Sequence, residues 1–392
     1  MLHDRFLVET VTLLRSQMNN LTALEYAWVA SFFASLGIVL TTKWHGKFSL
    51  DGLTGVQKFH AVPTPRVGGV ALIFGLFVGW QCLSEETSKL LGLILAAGLP
   101  AFCFGLAEDL TKRVSVRARL LATMASGVLG WMLIGASITR VGIPGLDTLL
   151  SIVPIAVVFT AFAVGGVANA VNIIDGFNGL ASGAVTISLG ALGVIALQCG
   201  DQELATICFM VCAVTLGFFA VNFPFGKLFL GDGGAYLLGF LLAWLAVMLA
   251  YRNPAVSVWA PLLAAAYPIF ETVFTIMRRV WKRQSPGLPD SFHLHSLIKV
   301  GIVLRRFPTL RADLRNALVS PFCWLIAAVP AALAVIFATH TEALLWSCLG
   351  SFSVYLVFYT YAAAASTHQR SAEVVQFTDR NVTEPRAVRR AS

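Results

Sequence analysis

Four clusters of polar residues interrupt an otherwise apolar chain of 392 residues. Glu108 and Asp109 lie in Phe104-Gly-Leu-Ala-Glu-Asp-Leu-Thr-Lys-Arg113, and Asn172 and Asp175 in Asn172-Ile-Ile-Asp-Gly-Phe-Asn-Gly179. Asp232 lies in Phe229-Leu-Gly-Asp-Gly-Gly-Ala-Tyr236, and His293 and His295 in Asp290-Ser-Phe-His-Leu-His-Ser296. Asp and Asn supply hard oxygen ligands, which suit Mg²⁺ or Mn²⁺ with some waters retained. Such a metal offsets charge on a diphosphate while Lys, Arg and His hold the remaining oxygens. A further carboxylate can position or deprotonate an incoming phosphate nucleophile. Asn172 and Asp175, three apart, share a face if a helix runs through them. Glycines around Asp232 allow close backbone approach to an anion, and a helix opening there presents its positive dipole end. The set suits phosphoryl transfer.

Each cluster also has a purely structural reading. Glu108 and Asp109 can balance Lys112 and Arg113 at an interface. Asn172, Asp175 and Asp232 can cap helices, with the neighbouring glycines making turns. A His-x-His pair can be a solvated loop. Two such histidines lack a third or fourth nearby ligand, which argues against zinc.

The elements that must position these residues follow from composition. The chain is 57% hydrophobic and 12% charged, about half the charged fraction of an ordinary soluble domain. Eleven stretches contain no Asp, Glu, Lys or Arg: 26–42, 67–84, 90–107, 120–139, 148–174, 176–200, 204–226, 233–251, 253–270, 316–341 and 343–369. A helix needs about 20 apolar residues to cross a bilayer, so the pattern predicts an all-α polytopic membrane protein of about eleven transmembrane helices. A soluble enzyme, a disordered protein and a disulfide scaffold are excluded. Period-two alternation is absent, which excludes a β-barrel. The seven cysteines have no metal-ligand spacing and read as small buried hydrophobes.

Eleven crossings put the termini on opposite sides, and alternate loops can then be compared by their basic residues. One set holds 23 of the 28 Lys/Arg; the other holds Arg5, Arg15, Lys89, Arg140 and Arg252. The reading is an N-terminus outside, a C-terminus inside, and all four polar clusters on the cytoplasmic face. It divides the chain into a short extracytoplasmic segment 1–20, a transmembrane catalytic domain 21–365, and a basic disordered tail 366–392. Its cytoplasmic loops are 42–66, 108–119, 172–178, 222–233 and 278–316.

In this order the motifs resemble the polyprenyl-phosphate N-acetylhexosamine-1-phosphate transferase superfamily, glycosyltransferase family 4. The matching pieces are Pro65-Arg-Val-Gly-Gly69, Glu108-Asp109, Asn172-x-x-Asp-Gly-x-x-Gly179, Phe229-Leu-Gly-Asp232 and His293-x-His295, spread over about residues 40–300. The resemblance implies transfer of a sugar 1-phosphate from a UDP-N-acetylhexosamine to undecaprenyl phosphate in a bacterial inner membrane, with release of UMP. It further implies Mg²⁺ (Mn²⁺ as substitute) at Asn172 and Asp232, and catalytic roles for Glu108, Asp109 and Asp175. Substrate contacts would come from Lys58, Asn178, His293 and His295. Membrane lipids and a second copy of the chain are expected partners; nucleic acid is not.

Three departures from the family pattern stand out. Glu108 replaces the first Asp of the usual pair, Asn178 stands where a second acid is common, and Ser296 replaces a third histidine. Eleven stretches, a cytoplasmic tail and a short histidine motif look like the N-acetylglucosamine branch, which starts O-antigen, common antigen, capsule or teichoic acid chains. The alternative within the family is the phospho-N-acetylmuramoyl-pentapeptide transferase of peptidoglycan synthesis. A secondary transporter of anions would place ionisable groups near the bilayer midplane, and a non-catalytic scaffold would not need the carboxylates.

Overall fold

Backbone polar groups in hydrocarbon must be satisfied within their own segment, so long charge-free runs are forced into helices. A computed structural model describes residues 2–51, 63–283 and 290–383, with side chains between 20 and 367. The helices that carry the argument are α1 (Leu2–Leu40), α2 (Thr42–Ser49), α3 (Gly68–Trp80), α4 (Glu85–Thr111), α5 (Val116–Ile134), α6 (Pro144–Leu150), α7 (Val153–Ile174), α8 (Leu180–Gln198) and α9 (Gln202–Asn222). They continue with α10 (Gly231–Arg252), α11 (Trp259–Ala264), α12 (Ala266–Trp281), α13 (Leu294–Ile298), α14 (Leu304–Arg306), α15 (Ala312–Ala317), α16 (Val319–Ile336) and α17 (Thr341–Thr383). A two-residue antiparallel pairing of β1 (Leu50–Asp51) with β2 (Thr64–Pro65) is the only sheet among the described residues.

The protein is all-α and polytopic. Eight helical segments among the described residues are long and apolar enough to cross a membrane: Asn20–Leu40, Glu85–Thr111, Val153–Ile174, Leu180–Gln198, Gln202–Asn222, Gly231–Arg252, Ala312–Ile336 and Thr341–Thr367. The three remaining charge-free stretches also fall in helices. One is the 13-residue α3, one is α5 with Arg117 and Arg119 near its start, and one is divided between α11 and α12 at Ala265.

Helix α10 is apolar on every side, which places a helix in the interior. All but one of its residues from Gly231 to Leu249 are buried, and it packs against α3, α4, α5, α7 and α8. Glycines set how closely. A Cβ on Gly105 would stand 2.6 Å from the Asp232 carbonyl carbon, and one on Gly69 2.5 Å from the Gly234 nitrogen. Helices α3 and α4 therefore press directly on the first turn of α10. Because short connections reverse the chain each time, the end of α4, the starts of α5 and α10, and the end of α7 meet at one end of the bundle.

Two boundaries differ from those read in the sequence. Helix α1 begins at Leu2, with no break at residue 20, and α17 runs past 366 to Thr383. Neither segment contains Gly or Pro where the sequence reading placed an edge, and without such a residue a helix has no local reason to stop.

Candidate active site

The centre of the helix-end cluster is an ion network among residues far apart in sequence. Arg66 is fixed by backbone on both sides: its N–H donates to Ser49 O (2.8 Å), and Pro65 O accepts from Phe229 N (2.8 Å). Its guanidinium then reaches three acids, with Nη2 donating to Asp232 Oδ1 (2.6 Å), Nε 3.2 Å from Asp109 Oδ1, and Nη1 3.8 Å from Asp51 Oδ1. Arg119 donates to the other Asp232 oxygen. Burial pulls the Arg66 pKa down, but Asp232, Asp109, Asp51 and Asp175 together hold it above its ordinary value.

Asp109 is fully buried, and backbone occupies both its oxygens. Oδ1 accepts from Asp232 N (2.9 Å) and Oδ2 from Gly233 N (2.8 Å). It thus caps the first turn of α10 from outside that helix and fixes where Asp232 points. Its neighbour Glu108 turns away, accepting from Val114 N at 2.8 Å.

Asn172 joins the network through Nδ2, which donates to Asp232 Oδ1 (3.1 Å), while its Oδ1 accepts from Tyr236 OH (3.3 Å). Asp175, just past the end of α7, has no hydrogen-bonding side-chain partner among the described residues. Burial raises its pKa to about 7; Arg66 opposes this, and Asp232 and Asp109 add to it.

The histidine segment docks on the turn beside Asp175. A Cβ on Gly176 would stand 3.2 Å from His295 Nε2, and the Phe177 ring meets His295 edge-on at 5.6 Å. His293 and His295 stack with ring centroids 5.3 Å apart. Both are buried, not solvated. Burial lowers the His295 pKa to about 3, the charge of His293 acts the same way, and Glu271 and Asp290 oppose. A histidine whose pKa falls from about 6.5 unfolded to about 3 loses native stability as pH drops below 6.5, because only the unfolded form takes up the proton. Melts of wild type and His295→Asn between pH 6.5 and 4 are expected to diverge, with the wild type falling more steeply. Parallel curves would refute the assignment.

Three contributors escaped the reading by sequence. Arg66 lies within a motif that carries the resemblance, but with no role of its own; Arg119 looks like one more interfacial charge. Glu271 closes a charge-free stretch on paper, yet it stands within the α11–α12 segment, fully buried. Its Oε1 lies 3.0 Å from His293 Nδ1 and accepts from Leu294 N (3.1 Å), and its Oε2 accepts from Tyr355 OH (2.9 Å). A lone acid interrupting residues 253–277 was the available signal.

Asn178 is placed differently from a substrate contact. Its amide donates to the carbonyls of Pro224 (2.8 Å) and Asp313 (3.4 Å), so it ties the α9–α10 connection to the start of α15. Lys58 lies outside the described residues.

The donor set fits a hard divalent cation. Asp109, Asp175 and Asp232 bring hard carboxylate oxygens together beside Arg66 and Arg119, the donor type that Mg²⁺ takes. Among the described residues no three His, Cys, Asp or Glu groups already converge as a metal cage; the oxygens of Asp232 are turned to the two arginines instead.

The model of glycosyl transferase family 4 matches residues 91–250, which include Asp109, Asn172, Asp175 and Asp232. A probable undecaprenyl-phosphate N-acetylglucosaminyl 1-phosphate transferase of Bacillus subtilis is 29% identical over 240 residues, covering 61% of this chain and 66% of that protein, just under two thirds of its length. The undecaprenyl-phosphate alpha-N-acetylglucosaminyl 1-phosphate transferase of Yersinia pestis is 26% identical over 384 residues, 96% of this chain and 98% of that one. Its Salmonella typhi counterpart is 28% identical over 286 residues, 72% of this chain and 77% of its own. With the motifs in family order and their side chains gathered at one end of the bundle, residues 91–250 of the chain match glycosyl transferase family 4.

Proposed function

We propose that this enzyme transfers N-acetylglucosamine 1-phosphate from its UDP-sugar to undecaprenyl phosphate. A phosphate oxygen of the lipid attacks the phosphorus that carries the sugar, the bond to the bridging oxygen breaks, and UMP leaves. A lipid-linked diphospho-sugar remains. The observation that carries this reading is the convergence of Asp109, Asp175 and Asp232 with Arg66, Arg119 and His295 at one end of the bundle. Positioning and charge stabilisation supply most of the catalysis in such transfers.

Arg66 and Arg119 are the cations available to phosphate oxygens when substrate competes for Asp232. Asp175, whose side chain has no hydrogen-bond partner among the described residues, positions the acceptor phosphate. Mg²⁺ would be held by Asn172, Asp175 and Asp232, where it would neutralise charge on the diphosphate. His295 donates to phosphate or sugar from the turn beside Asp175. The face bearing the site also bears most of the basic residues, which supports a cytoplasmic site in the inner membrane, with the N-terminus outside and the C-terminus inside.

The test is a panel of labelled UDP-sugars with purified protein, Mg²⁺ and undecaprenyl phosphate. Labelled lipid and UMP from UDP-N-acetylglucosamine are expected. Product only from the N-acetylmuramoyl-pentapeptide donor would replace the substrate, and no product from any donor would remove the reading.

Two variants probe the histidines. His293→Ala/His295→Ala is expected to raise donor KM, lower kcat, or both, with the melting profile retained; wild-type kinetics would take the segment out of the site. Glu271→Gln is expected to cost about tenfold to a hundredfold in kcat, the scale seen when the carboxylate that orients a metal-bound histidine is lost, because Glu271 holds His293 in the same way. UDP binding should be nearly unchanged. If Glu271→Gln remains as costly in the His293→Ala background, Glu271 does not act through His293.

A further inference from the structure

At the far end of the bundle from the acids, a cavity of about 660 Å³ opens between the α5–α6 connection, α7, α10 and α11. Its floor is apolar, formed by residues such as Val167, Leu242 and Ile269, and its rim carries Arg140, Tyr251 and Trp259. Asp232 and Ala250 are eighteen residues apart on α10, about 27 Å along the helix, so this cavity is separate from the site described above. From Tyr251 down to Leu242 is about 14 Å, close to the depth of one leaflet of a bilayer core about 30 Å thick. Tyr and Trp at the mouth are the residues that favour the headgroup level.

The cation at the rim is the second observation. Arg140 is exposed, and its Nη2 donates to the carbonyls of Pro254 (2.8 Å), Val256 (3.2 Å) and Ala250 (3.5 Å). These carbonyls fix its position at the end of α10 but leave its full charge in place. Among the described residues no carboxylate pairs with it. The nearby Asp147 accepts instead from Val141 N (2.6 Å) and Gly142 N (3.2 Å). Arg252, at the same end of the bundle, is neutralised by Asp201 (2.7 Å) and Glu203 (2.8 Å). We infer that the cavity binds an anionic phospholipid of the leaflet opposite the active site, with one acyl chain inside and the phosphate headgroup at Arg140. The volume is in the range of single-ligand sites, and its length along α10 matches a chain instead of a compact solute.

The test uses the full chain in phosphatidylcholine vesicles doped with phosphatidylglycerol that carries a photoreactive group on an acyl chain. The same chain on phosphatidylcholine is the control. Label is expected on peptides 137–146 and 258–269, with phosphatidylglycerol favoured by about fivefold, the worth of one surface cation. Arg140→Gln should bring the two lipids level, and Ala246→Phe, which fills the cavity, should abolish labelling by both. Equal labelling of wild type by the two lipids overturns the proposal, and this comparison needs no variant to fold. Displacement of the label by an equimolar amount of undecaprenyl phosphate also overturns it, by assigning the cavity to the acceptor.

Discussion

Asp232→Asn is expected to lower turnover by at least about a hundredfold, the scale seen when a preorganised electrostatic contact at a reacting centre is lost. The geometry explains why so small a change is costly. Oδ1 of Asp232 accepts from Arg66 and Asn172, and Oδ2 accepts from Arg119. An asparagine has one oxygen and one NH₂ at these positions, so a donor must face a donor. Two half-buried guanidinium groups would also lose the carboxylate they share. The fold should survive, since the backbone at residue 232 is held independently by Asp109. Turnover is measured across a Mg²⁺ titration, with UDP binding by calorimetry on the same preparation. Partial recovery at high Mg²⁺ is expected if Asp232 is a ligand, because an amide oxygen is a weaker one than a carboxylate. Full activity at every Mg²⁺ concentration would remove Asp232 from the centre of the site.

Asp109→Asn is expected to fail in a different way, losing stability, donor binding and rate together. The family resemblance makes Asp109 a catalytic acid. In the structure its oxygens receive Asp232 N, Gly233 N and Arg66 Nε while the side chain is shut off from solvent. An amide in that place turns an NH₂ toward a backbone N–H or a guanidinium. Breaking a buried charged contact by changing one partner costs about 3–5 kcal/mol, enough to lower the melting temperature of the detergent-solubilised protein clearly. Glu108→Asp should retain most of the activity, because among the described residues the Glu108 side chain bonds the outlying Val114 N and stands apart from the Asp232 network. A normal melting temperature and normal UDP binding, with turnover alone lost in Asp109→Asn, would restore the catalytic role.

The helices were legible without coordinates, since a run of about 20 residues without charge has one stable solution in a bilayer. The boundaries at residues 20 and 366 were not, because composition shifts there without any helix breaker. The acids were legible for a related reason: Asp109, Asn172, Asp175 and Asp232 are conspicuous against apolar flanks, and reversal of each spanning segment sends them to one face. Their division of labour was hidden. Spacing says nothing about which carboxylate bonds backbone, so Asp109 as a cap on α10, and Asp175 as a group with no hydrogen-bond partner among the described residues, emerge only when α4 and α7 are packed against α10.

Arg66, Arg119 and Glu271 show the same limit from the other side. Arg66 acts at this centre because a two-residue strand and the Phe229–Leu230 backbone clamp the chain around it. Arg119 qualifies by standing in the first turn of α5, where that helix passes Asp232. Glu271 ends a charge-free run on paper but lies buried against His293 and Tyr355, residues 22 and 84 positions away. Hydrophobic pattern along the chain determined that this is a membrane bundle with its polar chemistry at one end. Which charges neutralise one another there was decided by tertiary packing alone, because pairing in a low-dielectric site depends on ångström-scale distances between helices, and a linear sequence does not contain them.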